Sequence, residues 1–308
     1  MANEIYTGDS GQGAAVIAGT LARRVALAKL GDRESFRNHP ALVLIDDPLR
    51  GMGGAALKGA LHGFGLDTMA SRTEIQAIAN TAPSSANYTV TPGRFGLRYE
   101  VGDWQRTIDP TGIHEPASIA QWMPVSYGIT LATEIAKLGD DLTNVGTTTV
   151  DFSHDVFLLG QFALEAAGVG GPYLAVMSGN SYTDWQRDLE QRGGMTQFQA
   201  ATAAQLQIRG PGFKGSYQGV DIFMSSYVQT INSAADDANF IFGRGCFGLK
   251  EVPMAAPSRS SFVLMDLGFI RVEESRSADT GLTAVTATSH FGTVTMEGGR
   301  GRAFSGAV

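Results

Sequence analysis

The residue types of a nucleophilic triad stand together at Ser153-His154-Asp155. A working triad draws its members from separate segments that converge in space, so three neighbours in sequence do not form one. Ser153 instead precedes an apolar helical pattern, where a serine side chain caps a helix N-terminus. No metal-ligand spacing such as H-x-H, H-E-x-x-H or C-x-x-C links the histidines, which are His39, His62, His114, His154 and His290. The sequence therefore predicts no catalytic residues and no metal site.

Three pairs of adjacent acids are the next candidates for chemistry, at Asp46-Asp47, Asp140-Asp141 and Asp236-Asp237. Neighbouring carboxylates can act as acid and base, or they can bind a cation. No further oxygen ligands follow at a fixed spacing, so we interpret the pairs as solvated turns. A hydrolase that uses one pair stays open as an alternative, and Asp140 with Asp141 is the pair to test.

A glycine-rich stretch from Arg50 to Gly65 is the remaining motif with the composition of a ligand-binding loop. It lacks the Gly-Lys-Ser/Thr ending of a phosphate-binding loop, and its glycine spacing fits the dinucleotide fingerprint poorly. We interpret the stretch as a mobile connection, and the sequence predicts no cofactor.

The composition limits the function classes further. The chain has 308 residues, 43% of them hydrophobic, which is enough for one large or two ordinary domains with a sizeable core. Its net charge of -7 argues against a dedicated nucleic-acid binder, because phosphate contacts need lysine and arginine. The same charge is compatible with enclosing nucleic acid. No run of about 18 apolar residues is present, so we expect no membrane span.

An extended ribbon followed by a long helix organises the middle of the chain. Residues 88–90 and 95–101 flank a Pro92-Gly93 turn, and the second run alternates apolar and polar residues, which predicts a two-stranded ribbon. A helix is predicted from Pro116 to Leu138, and Pro124 inside it predicts a kink or a break. The apolar stripe of that helix is Ile119, Met123, Tyr127, Leu131 and Ile135. A two-stranded ribbon is marginal in water, so we expect this one to rest on a neighbouring subunit.

The remainder of the chain alternates helical and strand-like patterns. The helix capped by Ser153 is expected to bury a stripe made of Val156, Leu159, Phe162, Ala163 and Ala166. Strand patterns occur at 173–177, 219–226, 239–249 and 261–273, and 282–296 is interpreted as a hairpin that turns near Thr288-Ser289. Helices and antiparallel strands mix along the chain, so the predicted fold class is α+β.

The order of these parts resembles the major capsid proteins of tailed bacteriophages with the Hong Kong 97-type fold. In that family an N-terminal arm leads to an extended β-hairpin loop, a long spine helix, a mixed domain and a strand-rich return. Local stretches of sequence agree from about residue 68 onward, at Asp151-Phe152, 172–177, 182–189, 215–226 and 239–245.

The resemblance implies a division of the chain and a function. Residues 1–67 would be the N-terminal arm, 68–112 the extended loop, 113–150 and 262–308 the peripheral domain with the spine helix, and 151–261 the axial domain. The chain would be a non-enzymatic capsid protein in the virion, assembled in the host cytoplasm into hexamers and pentamers. It would enclose double-stranded DNA without reading its sequence and would have no membrane partner. A portal protein is a further implied partner.

Two departures from the family pattern affect the expected assembly. Some members link a lysine of the extended loop covalently to a neighbour, but residues 68–112 contain no lysine. The shell would therefore depend on noncovalent contacts or on an added decoration or cement protein. The arm is also too short for a built-in scaffold, which implies a separate scaffolding protein or none. An encapsulin-like cellular compartment is the alternative with the same fold.

Contacts between subunits are expected on the extended loop. Arginine and tryptophan are enriched among the residues that dominate binding energy at interfaces. On that ground we predict intersubunit contacts at Arg94, Arg98, Trp104 and Arg106. An ordinary solvated ribbon is the competing interpretation of the three arginines.

Overall fold

The described α-helices lie between residues 103 and 209, and strands precede and follow them. The computed structural model of the protein describes residues 37, 39–45, 57–63, 84–109, 112, 114–146, 150–209, 212–231, 233, 235–254, 262–266, 268–277 and 280–307. The strands are β1 (Val43–Leu44), β2 (Leu57–Gly63), β3 (Ser84–Val90), β4 (Gly93–Gly102), β5 (Tyr173–Met177), β6 (Phe198–Ala200), β7 (Phe213–Tyr217), β8 (Val220–Met224), β9 (Thr230–Ile231), β10 (Asp236–Phe242), β11 (Phe247–Glu251), β12 (Phe262–Asp266), β13 (Arg271–Ser277), β14 (Leu282–Thr295) and β15 (Gly301–Ala307). The helices are α1 (Asp103–Ile108), α2 (Pro116–Asp140), α3 (His154–Ala166), α4 (Gly179–Gln191) and α5 (Ala203–Arg209). Most of the predicted arm, most of the glycine-rich stretch and the Asp46-Asp47 pair lie outside the described residues.

The first sheet is built around strand β14. Its strand order is β1-β11-β14-β13-β12, and β4 also pairs with β14. β1 runs parallel to β11, whereas the other pairs are antiparallel. Residues 282–295 form one continuous strand, so the predicted hairpin with a turn near Thr288-Ser289 is wrong. Thr288 pairs with Arg271 of β13 and with Gly96 of β4, and ladders on both sides hold the chain extended there.

The second sheet contains the most deeply buried strands. Its order is β15-β10-β5-β8-β7-β6, with β9 paired to β10. Every residue of β5 and β10 is buried, as is typical of strands covered on both faces. Alternate side chains therefore enter two cores. Leu174 and Phe240 join the cluster beneath α2, whereas Ala175 and Ile241 join the cluster beneath α3 and α4.

Helix α2 packs against both sheets, and it shares with them the core that Leu174 and Phe240 enter. Its 25 residues confirm the predicted long helix, and the whole predicted apolar stripe is buried. The helix runs through Pro124 without the predicted break, since the residues on both sides, Met123 and Val125, are buried and hold the turn in place. Near its end Gly139 lets the ring of Phe240 approach so closely that any Cβ at this position would overlap it.

The ribbon is built from different strands than the sequence predicts. β3 pairs with β2, from Leu57↔Val90 to Gly63↔Ser84, and these two strands form a sheet of their own. β4 pairs instead with β14 over its full length. The predicted hairpin across Pro92-Gly93 is therefore wrong, because the two runs that flank this turn take different partners.

Three strands cross the predicted domain boundaries. β1, from the predicted arm, joins the first sheet beside β11. β11, from the predicted axial segment, belongs to the same sheet through its pairing with β14. β15, from the predicted peripheral segment, pairs along all seven residues with β10 in the second sheet. The chain thus passes between the two sheets more often than the linear division of the sequence suggests.

Candidate interaction surface

The Ser153-His154-Asp155 run forms a helix cap and not a triad. Ser153 Oγ accepts a backbone hydrogen bond from the first turn of α3, which confirms the predicted N-cap. His154 is buried, its Nε2 lies 3.1 Å from the Tyr217 hydroxyl, and burial lowers its pKa. Asp155 accepts two hydrogen bonds from Arg192, at 2.6 and 2.9 Å. The three side chains face different partners, so they provide no path for proton transfer to a nucleophile.

The acid pairs and the cysteine supply no alternative reaction centre among the described residues. Asp140 and Asp141 are exposed at the end of α2. Asp236 and Asp237 are buried in β10 between β9 and β15, so their interpretation as a solvated turn is wrong. Cys246 is fully buried, and burial raises the pKa of its thiol. Within the described part of the chain, no three His, Cys, Asp or Glu side chains are grouped to hold a metal ion.

The four predicted contact residues differ in exposure. Trp104, on α1, is 73% exposed. Arg94 and Arg98 lie exposed on β4, where Arg98 forms a 2.6 Å ion pair with Glu100 in solvent. Arg106 is half-buried. Exposed tryptophan and arginine side chains are the residue types of interface hot spots.

Arg106 hydrogen-bonds to two other elements of its own chain. Its Nη2 donates to Glu115 at 3.1 Å, and its Nη1 donates to the Thr283 hydroxyl at 3.4 Å. The side chain thus links α1 to the start of α2 and to β14. Its position indicates an internal role in fixing α1 and, with it, the orientation of Trp104.

The outer face of α3 is an exposed apolar surface that the sequence interpretation missed. Leu159 is 52% exposed and Phe162 is 66% exposed, so the prediction that both are buried is wrong. The helix buries Phe157, Gly160 and Leu164 instead. A Cβ at Gly160 would lie 2.6 Å from Cε1 of Phe304, so the helix approaches β15 along its glycine. Apolar residues occur almost all round this helix, and periodicity alone did not identify the packed stripe.

A second apolar feature lies at the edge of the first sheet. Phe262 opens β12, the last strand of that sheet, and is 69% exposed. An edge strand presents unpaired backbone groups, and an apolar edge is suited to pairing with another chain. The strand-like run at 261–273 predicts a strand here, but no local signal shows that the strand lies at an edge.

Arg37 and residues 39–45, within the predicted arm of residues 1–67, contact both sheets. Arg37 makes a bidentate ion pair with Glu251, at 2.8 and 2.9 Å, and the Tyr127 hydroxyl donates to the same carboxylate. His39 Nε2 lies 3.1 Å from Asp221 in the second sheet. Arg37 and His39 therefore fix this segment on its own subunit, a contact for which the sequence carries no signal.

The described helices include none that is both long and apolar enough to span a membrane.

Comparisons with known proteins identify the fold. No protein-family model matches the sequence, and no curated protein matches it. Solved structures do match. The capsid of cyanophage Pam1 aligns over 91% of this chain and 93% of its own, with 13% identity and a TM-score of 0.57. The head of Helicobacter pylori bacteriophage KHP40 aligns over 87% of each chain, with 9% identity and a TM-score of 0.57. The SrpI encapsulin of Synechococcus elongatus aligns over 86% and 85%, with 10% identity and a TM-score of 0.56.

These alignments span most of each chain, and they establish a Hong Kong 97-type α+β fold for this protein. The resemblance drawn from the sequence is thereby confirmed at the level of the fold. The identities are too low to transfer any residue's role, so the function is argued from this chain's own surfaces.

Proposed function

We propose that this chain is the major capsid protein of a tailed bacteriophage, which self-assembles into the icosahedral shell around a double-stranded DNA genome. The observation that carries the proposal is the likeness of most of the chain to phage capsid structures. The net charge of -7 supports it, because a weakly repelling wall lets enclosed DNA move along it.

The role is structural and not catalytic in this proposal. Most candidates for chemistry among the described residues have a folding explanation: a helix cap at Ser153, an aromatic cluster around His154, buried strand positions at Asp236 and Asp237, and a buried turn position at Cys246. A fold built for assembly needs exposed contact surfaces, and Trp104 with the outer face of α3 supplies them.

The β2–β3 ribbon is the element that reaches across to a neighbouring subunit. It forms a sheet separate from the other two, and two strands alone are marginal in water. A neighbour's surface beneath the ribbon would stabilise it. Contacts of this kind are heterologous, and repeated with small adjustments they close a shell.

The segments keep the roles that the resemblance implies, with the strand assignments corrected. The arm at 1–67 contributes β1 and β2, and the extended loop at 68–112 contributes β3 and β4. β11 is assigned to the peripheral domain at 113–150 and 262–308. β15 is assigned to the axial domain at 151–261. Hydrogen-bonded pairing supports each of these corrections.

Trp104, Arg94 and Arg98 are the proposed contact residues between subunits, and Arg106 positions Trp104. The further partners are a portal, with a separate scaffold or a cement protein to stabilise a shell that lacks the loop lysine. The protein resides in the virion after assembly in the host cytoplasm.

An encapsulin-like compartment is the second candidate, and the likeness to the SrpI encapsulin favours it. The two candidates differ in content. Purified particles of a phage shell contain nucleic acid or are empty, whereas those of a compartment carry a co-purifying enzyme. Electron microscopy, absorbance at 260 and 280 nm, and mass spectrometry of the particles decide between them.

The test of the proposal is assembly of the purified full chain. Closed particles of uniform diameter, by electron microscopy and sedimentation, are the expected result. A stable monomer across protein concentration, salt and pH would contradict it.

A further inference from the structure

Three arginines converge where the two sheets meet. Arg244 lies in the turn between β10 and β11, and Arg300 and Arg302 lie in and after the turn between β14 and β15. The turns are held together by a 3.0 Å hydrogen bond from the Gly243 N–H to the Arg300 carbonyl. Pairing of β10 with β15 continues to the same point, where Phe242 faces Gly301.

The side chains of Arg300 and Arg302 are fixed in place. Arg300 Nε donates to Glu297, and its Nη1 lies 3.3 Å from the Arg244 carbonyl. Arg302 Nη1 donates to the carbonyls of Gly299 and Gly301, at 3.0 and 2.7 Å. Backbone carbonyls hold the guanidinium of Arg302 and leave its positive charge without compensation.

The local charge at these two turns is positive, whereas the chain as a whole is acidic. In the described residues, no carboxylate forms an ion pair with Arg244 or Arg302, and the Arg244 side chain is exposed. Arg244 also borders a groove of about 450 Å³ that Arg37 and His39 line. Among the described residues Arg300 pairs with Glu297, whereas Arg244 and Arg302 pair with no carboxylate, so the three arginines carry an excess of positive charge within a protein of net charge -7.

The free hydrogen-bond donors match one class of ligand. A guanidinium has five N–H donors. All five of Arg244, the Nε and Nη2 donors of Arg302, and the Nη2 donors of Arg300 have no partner among the described residues. Planar, charged donors held in position suit phosphate oxygens, which accept them in pairs.

We propose that Arg244, Arg300 and Arg302 form a binding site for backbone phosphates of double-stranded DNA. The identification of the ligand as DNA rests on the proposed function, whereas the site itself rests on the adjacency of the two turns that carry the three arginines. The contact is independent of base sequence, and it attaches the DNA at one point per subunit to a wall that otherwise repels it.

The experiment measures binding of a short fluorescent DNA duplex to the unassembled full chain by anisotropy, as a function of salt. Three phosphate contacts give a slope of log K against log salt of about -2.7, a loss of about 40-fold between 50 and 200 mM salt. Arg244→Gln with Arg302→Gln leaves one contact, and the loss over the same range falls to about 3.5-fold.

The matched control is Lys137→Gln with Arg187→Gln, which removes the same charge from exposed helix positions. The control is expected to keep the slope of the unsubstituted chain. Arg244→Gln alone is the variant to use if the double variant fails to fold, because the Arg244 side chain makes no hydrogen bond or ion pair among the described residues. Arg244→Lys with Arg302→Lys is expected to restore most of the slope.

A slope unchanged by the arginine variants, or no DNA binding at low salt, would overturn the proposal. Preferential binding of poly-glutamate over the duplex would overturn it in favour of an acidic protein cargo. Particle formation is recorded separately by electron microscopy, so a failure of the site is distinguishable from a failure of the proposed shell.

Discussion

Gly160 determines which face of α3 packs against the second sheet, and substitution by alanine tests this directly. A Cβ at Gly160 would lie 2.6 Å from Cε1 and 3.0 Å from Cδ1 of Phe304. Phe304 is fully buried and cannot retreat, because its ring packs against those of Phe152 and Phe157, with centroids 5.1 and 6.4 Å away.

Two opposing effects determine how far Gly160→Ala changes the free energy of unfolding. Alanine is favoured over glycine inside a helix by about 1 kcal/mol. Overpacking a closed core costs about 1–3 kcal/mol, and the fixed ring places this site in the upper part of that range. We therefore expect Gly160→Ala to lower the free energy of unfolding by about 1–2 kcal/mol. Phe304→Leu removes the ring edge, and in that background Gly160→Ala is expected to stabilise by up to about 1 kcal/mol.

The assay is urea unfolding of the unassembled chain, followed by the fluorescence of Trp185 in the same cluster. The double-mutant cycle is expected to give a coupling energy of about 2 kcal/mol between Gly160 and Phe304. Gly179→Ala is the control, since its Cβ would meet only Met224 Sδ at 3.8 Å. A coupling energy below about 0.5 kcal/mol would refute the reasoning, because independent sites add within that range.

Three further predictions concern assembly, pH and the arm. Trp104→Ala should raise the protein concentration needed for particle formation at least about 30-fold, the equivalent of a 2 kcal/mol hot spot. It should not change the free energy of unfolding of the unassembled chain. Leu206→Ala, also at an exposed site, should change neither quantity. Because burial lowers the pKa of His154, the unfolded chain binds the proton more readily, and the free energy of unfolding should fall as pH drops below about 6.5, with a shallower fall in His154→Gln. Arg37→Ala should cost about 1.5–3 kcal/mol in urea unfolding, because it leaves the half-buried Glu251 without its bidentate partner.

Periodicity predicted the long helix well, since an apolar residue at every fourth position from Ile119 to Ile135 specifies one face. The strand patterns predicted less of the structure than the helix pattern did. Alternation in residues 95–101 identifies the strand and its inner face, but a strand's partner depends on which segments meet in the folded chain. β4 therefore takes β14, almost two hundred residues away, in place of its neighbour β3.

Close packing at a glycine was the other reason for a wrong prediction, that of the buried face of α3. The predicted stripe of α3 contained the larger side chains Leu159 and Phe162, but the helix packs along Gly160, where a missing side chain lets Phe304 enter. The pattern of residue types shows which faces are apolar, and only packing shows which of two apolar faces is covered by the chain itself.

The candidate contact surface was predicted in part. Trp104 is exposed in a short helix with no buried residue, and its contact with a neighbouring subunit stays a prediction. Arg106 has the same residue type as Arg98 but hydrogen-bonds to Glu115 and Thr283, and sequence does not distinguish the two arginines. The convergence of Arg244 with Arg302 depends on a pairing of distant strands, so no local pattern could reveal it.

The account's central claim is that the β2–β3 ribbon gains its burial from a second copy of this chain. A cryo-electron microscopy reconstruction of the purified protein tests it most directly. The account predicts closed shells in which subunits form rings of five and six and each ribbon lies across an adjacent subunit. Discrete monomers, or particles whose ribbons touch no neighbouring chain, would contradict it.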